Sequence, residues 1–219
     1  MSPLARRACR RITRHSRPAG AARCLPMLQA PCGTLRAMNT QRLLALAAAA
    51  AALSLNAQGM DLMPSGAFVI GSVAPHSTDT IGVGAIWPWA WRKQAAGGEF
   101  SGITEAYVSY WKADAFAGGR ESLTQIGVVP MFRYRSEQGR SPWFAEAGIG
   151  LSTMNNLYTT PHKQFSTRFN FVDSIGVGRS FGAQQQHELG VRITHMSNGS
   201  IKHPNPGENF LQLRYARMF

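Results

Sequence analysis

The stretch ENFLQLRYARMF, residues 208–219, alternates along most of its length, with Leu211, Leu213, Tyr215 and Phe219 on one parity. Successive side chains of a strand point to opposite faces, so a period of two reads as a strand with one apolar face. Arg217 breaks the apolar stripe. If that face meets lipid, an arginine costs about 2–4 kcal/mol at the bilayer midplane but about 0–1 kcal/mol near an interface. A stripe that runs to Phe219, with its exception close to the end, suits the closing strand of a membrane barrel.

The same period recurs upstream. AFVIGSV (67–73) is a first strand. DTIGVGAIWPWAW (79–91) sets Ile81, Val83, Ala85, Trp87, Trp89 and Trp91 against Gly82, Gly84 and Ile86. GITEAYVSYWKA (102–113) is a third strand whose facing the sequence leaves open. LTQIGVVPMFRYR (123–135) opposes Ile126, Val128, Phe132 and Tyr134 to Gln125, Gly127, Arg133 and Arg135. WFAEAGIGL (143–151) separates Trp143, Ala145, Ala147, Ile149 and Leu151 from Glu146, Gly148 and Gly150. TRFNFVDSIGVG (167–178) and HELGVRITHMSN (187–198) bring the count to eight.

No stretch carries a helical period. A soluble sandwich would bury the apolar faces in a core, but it does not account for so many glycines on the opposite faces. An outer-membrane barrel turns the apolar faces to lipid and fills its lumen with small and polar side chains. About eight strands of about ten residues suit the smallest such barrels. The expected fold is therefore all-β, an eight-stranded antiparallel transmembrane outer-membrane β-barrel, with Trp87, Trp89 and Trp91 as an interfacial aromatic girdle.

The formal charge of +12 suggests nucleic acid until its location is considered. Residues 1–37 carry eight arginines and no acid, and MNTQRLLALAAAAAALSLNAQG follows from Met38. Arg42, the apolar run Leu43 to Leu55 and the small Ala57 have the layout of a cleaved signal peptide. Three segments are expected: a basic extension over 1–37, or an overextended reading frame ahead of Met38; a signal peptide over 38–57; and a barrel over 58–219. The last keeps 14 Lys/Arg against 11 Asp/Glu and none of Cys9, Cys24 and Cys32. A net charge near +3 excludes nucleic acid as the partner.

HMSNGSIKHPNPGENF (195–210) is the one stretch that carries chemistry. In an even-stranded barrel both termini lie on the periplasmic side, so strand seven runs outward and the loop after it is external. Leu189, Val191 and Ile193 form its lipid face, which His195 and Ser197 continue, while Glu188, Gly190, Arg192, Thr194 and Met196 point to the lumen. Polar side chains aimed at lipid are costly unless used. A serine activated by a neighbouring imidazole is one use. A position above the hydrocarbon, where polarity is harmless, is the other reading.

His195-x-Ser197-Asn198, then Pro204-Asn205-x-Gly207 and an amphipathic closing strand, resembles the lipid A 3-O-deacylase (PagL) family. The likeness is specific over about 187–219 and elsewhere rests on length and strand count. It implies an outer-membrane enzyme, a carboxylic ester hydrolase, that removes an ester-linked acyl chain from the lipid A of lipopolysaccharide. Ser197 matches the nucleophile and His195 the general base. Asn198 and Asn205 match positions able to donate to an oxyanion, as could the N–H of Ser200, although turn chemistry also explains both asparagines.

The third member departs from the pattern. The family's glutamate, fourteen residues after the histidine, falls on Asn209. Glu208 is favoured instead, because a carboxylate stabilises imidazolium better than an amide, provided a bulge after Pro206-Gly207 re-aims it. Asn209 is the alternative. The resemblance calls for no cofactor or metal, with lipopolysaccharide in the outer leaflet as partner and a homodimer left open. Lys202 and His203 of the loop could meet its phosphates, although a solvated loop is the stronger reading for each. Two other functions stand beside it. His-x-Ser-Asn-Gly with a later asparagine resembles outer-membrane phospholipase A, a calcium-dependent enzyme on a larger barrel. A non-catalytic small barrel serving as anchor or adhesin is the third.

Overall fold

Alternating runs separated by short turns fold here into a closed sheet. The computed structural model describes residues 63–219; the basic extension over 1–37, the signal peptide over 38–57 and its cleavage point lie outside them. The strands are β1 (Gly66–Ala74), β2 (Thr78–Ala95), β3 (Gly98–Asp114), β4 (Arg120–Ser136), β5 (Trp143–Met154), β6 (Phe169–Phe181), β7 (His187–Ser197) and β8 (Glu208–Met218). Each pairs antiparallel with the next, and β1 pairs with β8 from Gly66↔Met218 to Val73↔Leu211, which closes the barrel. The expected eight strands are all present. The longer connections, 155–168 and 198–207, lie at the end opposite Gly66 and Met218.

The two faces have opposite chemistry. Ile81, Val83, Ile126, Ile175, Ile193, Leu211 and Leu213 are exposed on the outer wall. Glu105, Arg133, Glu146, Glu188, Arg192 and Arg214 are buried inside. Charge within and hydrocarbon without is the reverse of a soluble protein and the arrangement a bilayer requires.

The six inner charges form one closed ring. Arg133 binds Glu188 through both terminal nitrogens, at 2.7 and 2.9 Å, and Glu146 through Nε at 2.8 Å. Arg192 binds the other Glu146 oxygen at 2.6 Å and Glu105 through two nitrogens at 2.7 and 2.9 Å. Arg214 completes the circuit with ion pairs to Glu105 at 2.8 Å and Glu188 at 3.0 Å. Within the ring every arginine meets two glutamates and every glutamate two arginines, so the six charges cancel; Arg135 adds a longer contact to Glu188 at 3.3 Å from outside it.

Between this ring and the Lys163–Glu208 ion pair at the end that carries the long loops, the lumen is filled by uncharged side chains. Gln125 accepts from Ser109 and donates to Ser152, and Trp111 then packs edge-on against Phe210 and Tyr158. The glycines on the inner faces have a spatial cause. The rings of Phe68, Tyr107 and Phe144 lie over Gly84, Gly127 and Gly178, where a Cβ would strike them.

Two details refine the sequence reading. β3 turns Glu105, Ser109, Trp111 and Ala113 inward and Val108 and Tyr110 outward. In β2, a register shift against β3 between Pro88 and Arg92 accompanies a collapse of Trp89 onto the wall. Trp89 covers Gly102, meets Phe132 edge-on at 5.0 Å and donates to Thr104 at 2.9 Å. Trp89 therefore braces the wall, whereas Trp91 remains exposed.

Opening the ring should be costly, because it strands buried charge. Arg192→Met leaves Glu105 and Glu146 each short of a partner and is expected to remove about 3–5 kcal/mol of stability. Urea titration of the refolded barrel in detergent micelles measures this, with the outward substitution Val83→Ile expected to stay within about 0.5 kcal/mol.

Candidate active site

β7 and β8 run antiparallel with His195 directly opposite Asn209. Strand geometry therefore carries both side chains to the same outer face. The Nδ1–H of His195 donates to Asn209 Oδ1 at 2.7 Å. That bond fixes the ring's plane and tautomer and leaves the Nε2 lone pair free to accept a proton.

A glycine makes room for the ring. Gly207 has a φ of +64°, and a Cβ there would lie 2.6 Å from His195 Cε1 and 3.1 Å from Nε2. Both the backbone conformation and the contact exclude a larger residue.

Ser197 lies two residues further along β7 on the same parity, 9% exposed, with Phe171 of β6 opposite it. The Gly199 N–H reaches toward its Oγ at 3.5 Å. Gly199 and Ser200 both have positive φ, which turns the chain back over the end of the strand.

The two remaining asparagines knit the loops together. Asn198, almost fully buried, donates its side-chain N–H groups to Ser166 Oγ at 2.9 Å and to the Lys202 carbonyl at 2.8 Å. Its backbone N–H donates to Asn205 Oδ1 at 3.0 Å. The Asn205 Nδ2 is held only loosely, 3.5 Å from Ser200 Oγ. Asn198 thus spends its amide hydrogens within the fold, while those of Asn205 remain available. Lys202 and His203 are exposed in the loop.

Glu208 does not reach the histidine. β8 begins at Glu208 in regular register, opposite Met196, so alternation sends the carboxylate inward and the bulge needed to re-aim it is absent. There Glu208 is almost fully buried, accepting from Lys163 Nζ at 2.8 Å and from the Tyr158 hydroxyl at 3.0 Å. Tyr158 also shares a hydrogen bond with Thr78 at 2.7 Å. Burial first, and then the adjacent Glu208 charge, push the Tyr158 phenol well above its ordinary range, so it stays a donor. Lys163 donates in addition to the Gly207 carbonyl at 2.9 Å. Glu208 is thus the centre of a latch that fastens loop 155–168 to the backbone beneath His195.

Sequence reasoning passed over Lys163 and Tyr158, which lie far from the motif in a loop without periodicity. It also passed over Asp173, which pairing places opposite His195 on the β6 side.

The profile of the family described as "Lipid A 3-O-deacylase (PagL)" matches residues 79–217, from β2 through β8. The chain belongs to that family. The lipid A deacylase PagL of Bordetella bronchiseptica is 34% identical over 136 residues, covering 60% of this chain and 71% of its own. The lipid A deacylase PagL of Pseudomonas aeruginosa is 29% identical over 175 residues, covering 80% and 97%. A crystal structure of the outer membrane enzyme PagL superposes with a TM-score of 0.60 at 26% identity, over 70% of this chain and 99% of that one. This PagL-family barrel is an outer-membrane protein, and its long loops lie on the outer side.

The latch makes a local prediction. Glu208→Gln removes the charge that holds Lys163 and weakens two hydrogen bonds of about 1.5–3 kcal/mol each. Loop 155–168 should then be cut by protease at least tenfold faster, while the thermal unfolding of the barrel is unchanged.

Proposed function

We propose that this chain is a lipid A 3-O-deacylase, a carboxylic ester hydrolase working from the outer wall of its barrel. What carries the reading is the His195–Asn209 hydrogen bond on the lipid-facing side, with Ser197 on the same face one pleat away. It leaves the imidazole lone pair unspent two residues from the Ser197 hydroxyl, at the end of β7 that meets the outer loops.

In the proposed reaction His195 Nε2 takes the Ser197 proton as Oγ attacks the acyl carbonyl. The Gly199 N–H and the Asn205 Nδ2 receive the oxyanion, where one such donor is typically worth about 2.7–4 kcal/mol. The imidazolium then protonates the departing sugar oxygen. Water, deprotonated by the same histidine, attacks the acyl-enzyme, releases the fatty acid and restores Ser197. Asn209 holds the tautomer throughout, taking the third position that charge alone assigned to Glu208. Lys202 and His203 face the phosphates of lipid A. The chemistry asks for no metal or cofactor, and all the residues named come from one chain, so it asks for no second copy either.

One observation favours a second reading. An asparagine on the histidine is the feature that resembles outer-membrane phospholipase A, which would make phospholipid esters the substrate.

Mass spectrometry of lipid A from cells expressing the chain separates the two. Loss of one hydroxyacyl group is expected, and Ser197→Ala should lower it by about 10^4-fold or more. Asn205→Ala should cost about 10^2–10^3-fold. Unchanged lipid A with calcium-dependent lysophospholipid in the same extract would move the assignment to phospholipids. Neither product would sink both.

A further inference from the structure

The histidine's partner is an amide. Asn209 orients the ring of His195 but brings no charge, although the proposed reaction turns that ring into a cation beside hydrocarbon. A cation formed there needs a nearby negative charge more than it would in water.

The outer wall carries one. Asp173 on β6 is register-paired with His195, and its face is fixed by Ile175 and Val177, which share its parity and are exposed. Opposite residues in an antiparallel pair have Cβ atoms about 4.5–5.5 Å apart, within reach of a carboxylate and an imidazole. On its other side Asp173 pairs with Ile149 of β5. A single row therefore crosses four strands: Ile149, Asp173, His195, Asn209. An acid on a lipid-facing wall is costly, and it is kept where it is used.

The other charges around the imidazole do not supply this. β8 presents the neutral Asn209. Behind Gly207, Lys163 and Glu208 compensate each other at 2.8 Å. Lys202 and His203 of the outer loop are basic and exposed to solvent.

We infer that Asp173 is a positioning residue that stabilises the His195 imidazolium from the β6 side, supplying the negative charge that Asn209 lacks. The inference rests on the roles proposed above for His195 and Ser197.

The decisive variant is Asp173→Asn, nearly isosteric and on the outer wall, with Asp173→Ser as a second in case the first does not insert. With lipopolysaccharide in mixed micelles, kcat should fall about 10- to 100-fold with KM nearly unchanged. The acid limb of the pH–rate profile should move to lower pH, because an imidazole without its anionic neighbour gives up its proton more readily. Asn209→Asp in the Asp173→Asn background should restore most of the rate by returning a carboxylate to the other side of the ring. NMR titration of ring-labelled histidine, in the full chain carrying Ser197→Ala, provides a readout independent of turnover. Its His195 midpoint should drop by about one pH unit or more when Asp173 is neutralised. An unmoved midpoint, or a fall in kcat that Asn209→Asp does not rescue, overturns the role of Asp173. A wild-type chain that deacylates nothing overturns the reading of Ser197 and leaves the midpoint as the test of Asp173.

Discussion

Three arginines and three glutamates cannot be buried together unless each charge meets its complement. In this barrel Glu105, Arg133, Glu146, Glu188, Arg192 and Arg214 meet theirs as a ring drawn from five of the eight strands. The ring spans the lumen from β3 to β8, so each pair holds distant strands at a fixed separation. Hydrogen bonds between neighbouring strands could slide by a rung; forked guanidinium contacts across the interior cannot. The lumen is thereby a solid cross-brace, and the wall above it keeps one register.

That register sets the geometry of the candidate site. Asn209 stands between Glu208 and Phe210, both buried, and His195 stands between Thr194 and Met196, both buried. Each outward polar side chain is thus flanked by two inward ones that packing has locked. The precision of the site comes from the interior although none of the proposed chemistry occurs there. Loop 155–168 adds a second constraint from above, through the Lys163–Glu208–Tyr158 latch and the Ser166–Asn198 bond.

The barrel and the facing of His195 and Ser197 were legible because a period of two survives in a single sequence. The third strand was not, since β3 carries aromatic residues on both faces, Trp111 inward and Tyr110 outward. Glu208 misled for a different reason. Its charge made it the better chemical partner, but the strand starts at Glu208 itself, so geometry overrode charge and Asn209 took the contact. Asp173 lies in a neighbouring strand, and its approach to His195 depends on the β6–β7 register. Alternation within one strand reveals facing and says nothing about which rung of the next strand lies opposite. The latch was hidden more deeply, because it joins an aperiodic loop to a strand fifty residues later.

The site proposed on the outside of a filled barrel also changes what concentration means. A substrate that reaches His195 and Ser197 does so by sliding within the leaflet, and a released acyl chain departs the same way. Encounter then depends on the mole fraction of substrate among its neighbouring lipids rather than on molecules per litre. Inert amphiphile added to the same surface slows such a catalyst although no solute has been diluted. Crowding of the leaflet, its fluidity and the spacing of its headgroups therefore act as rate variables without touching a residue of the chain.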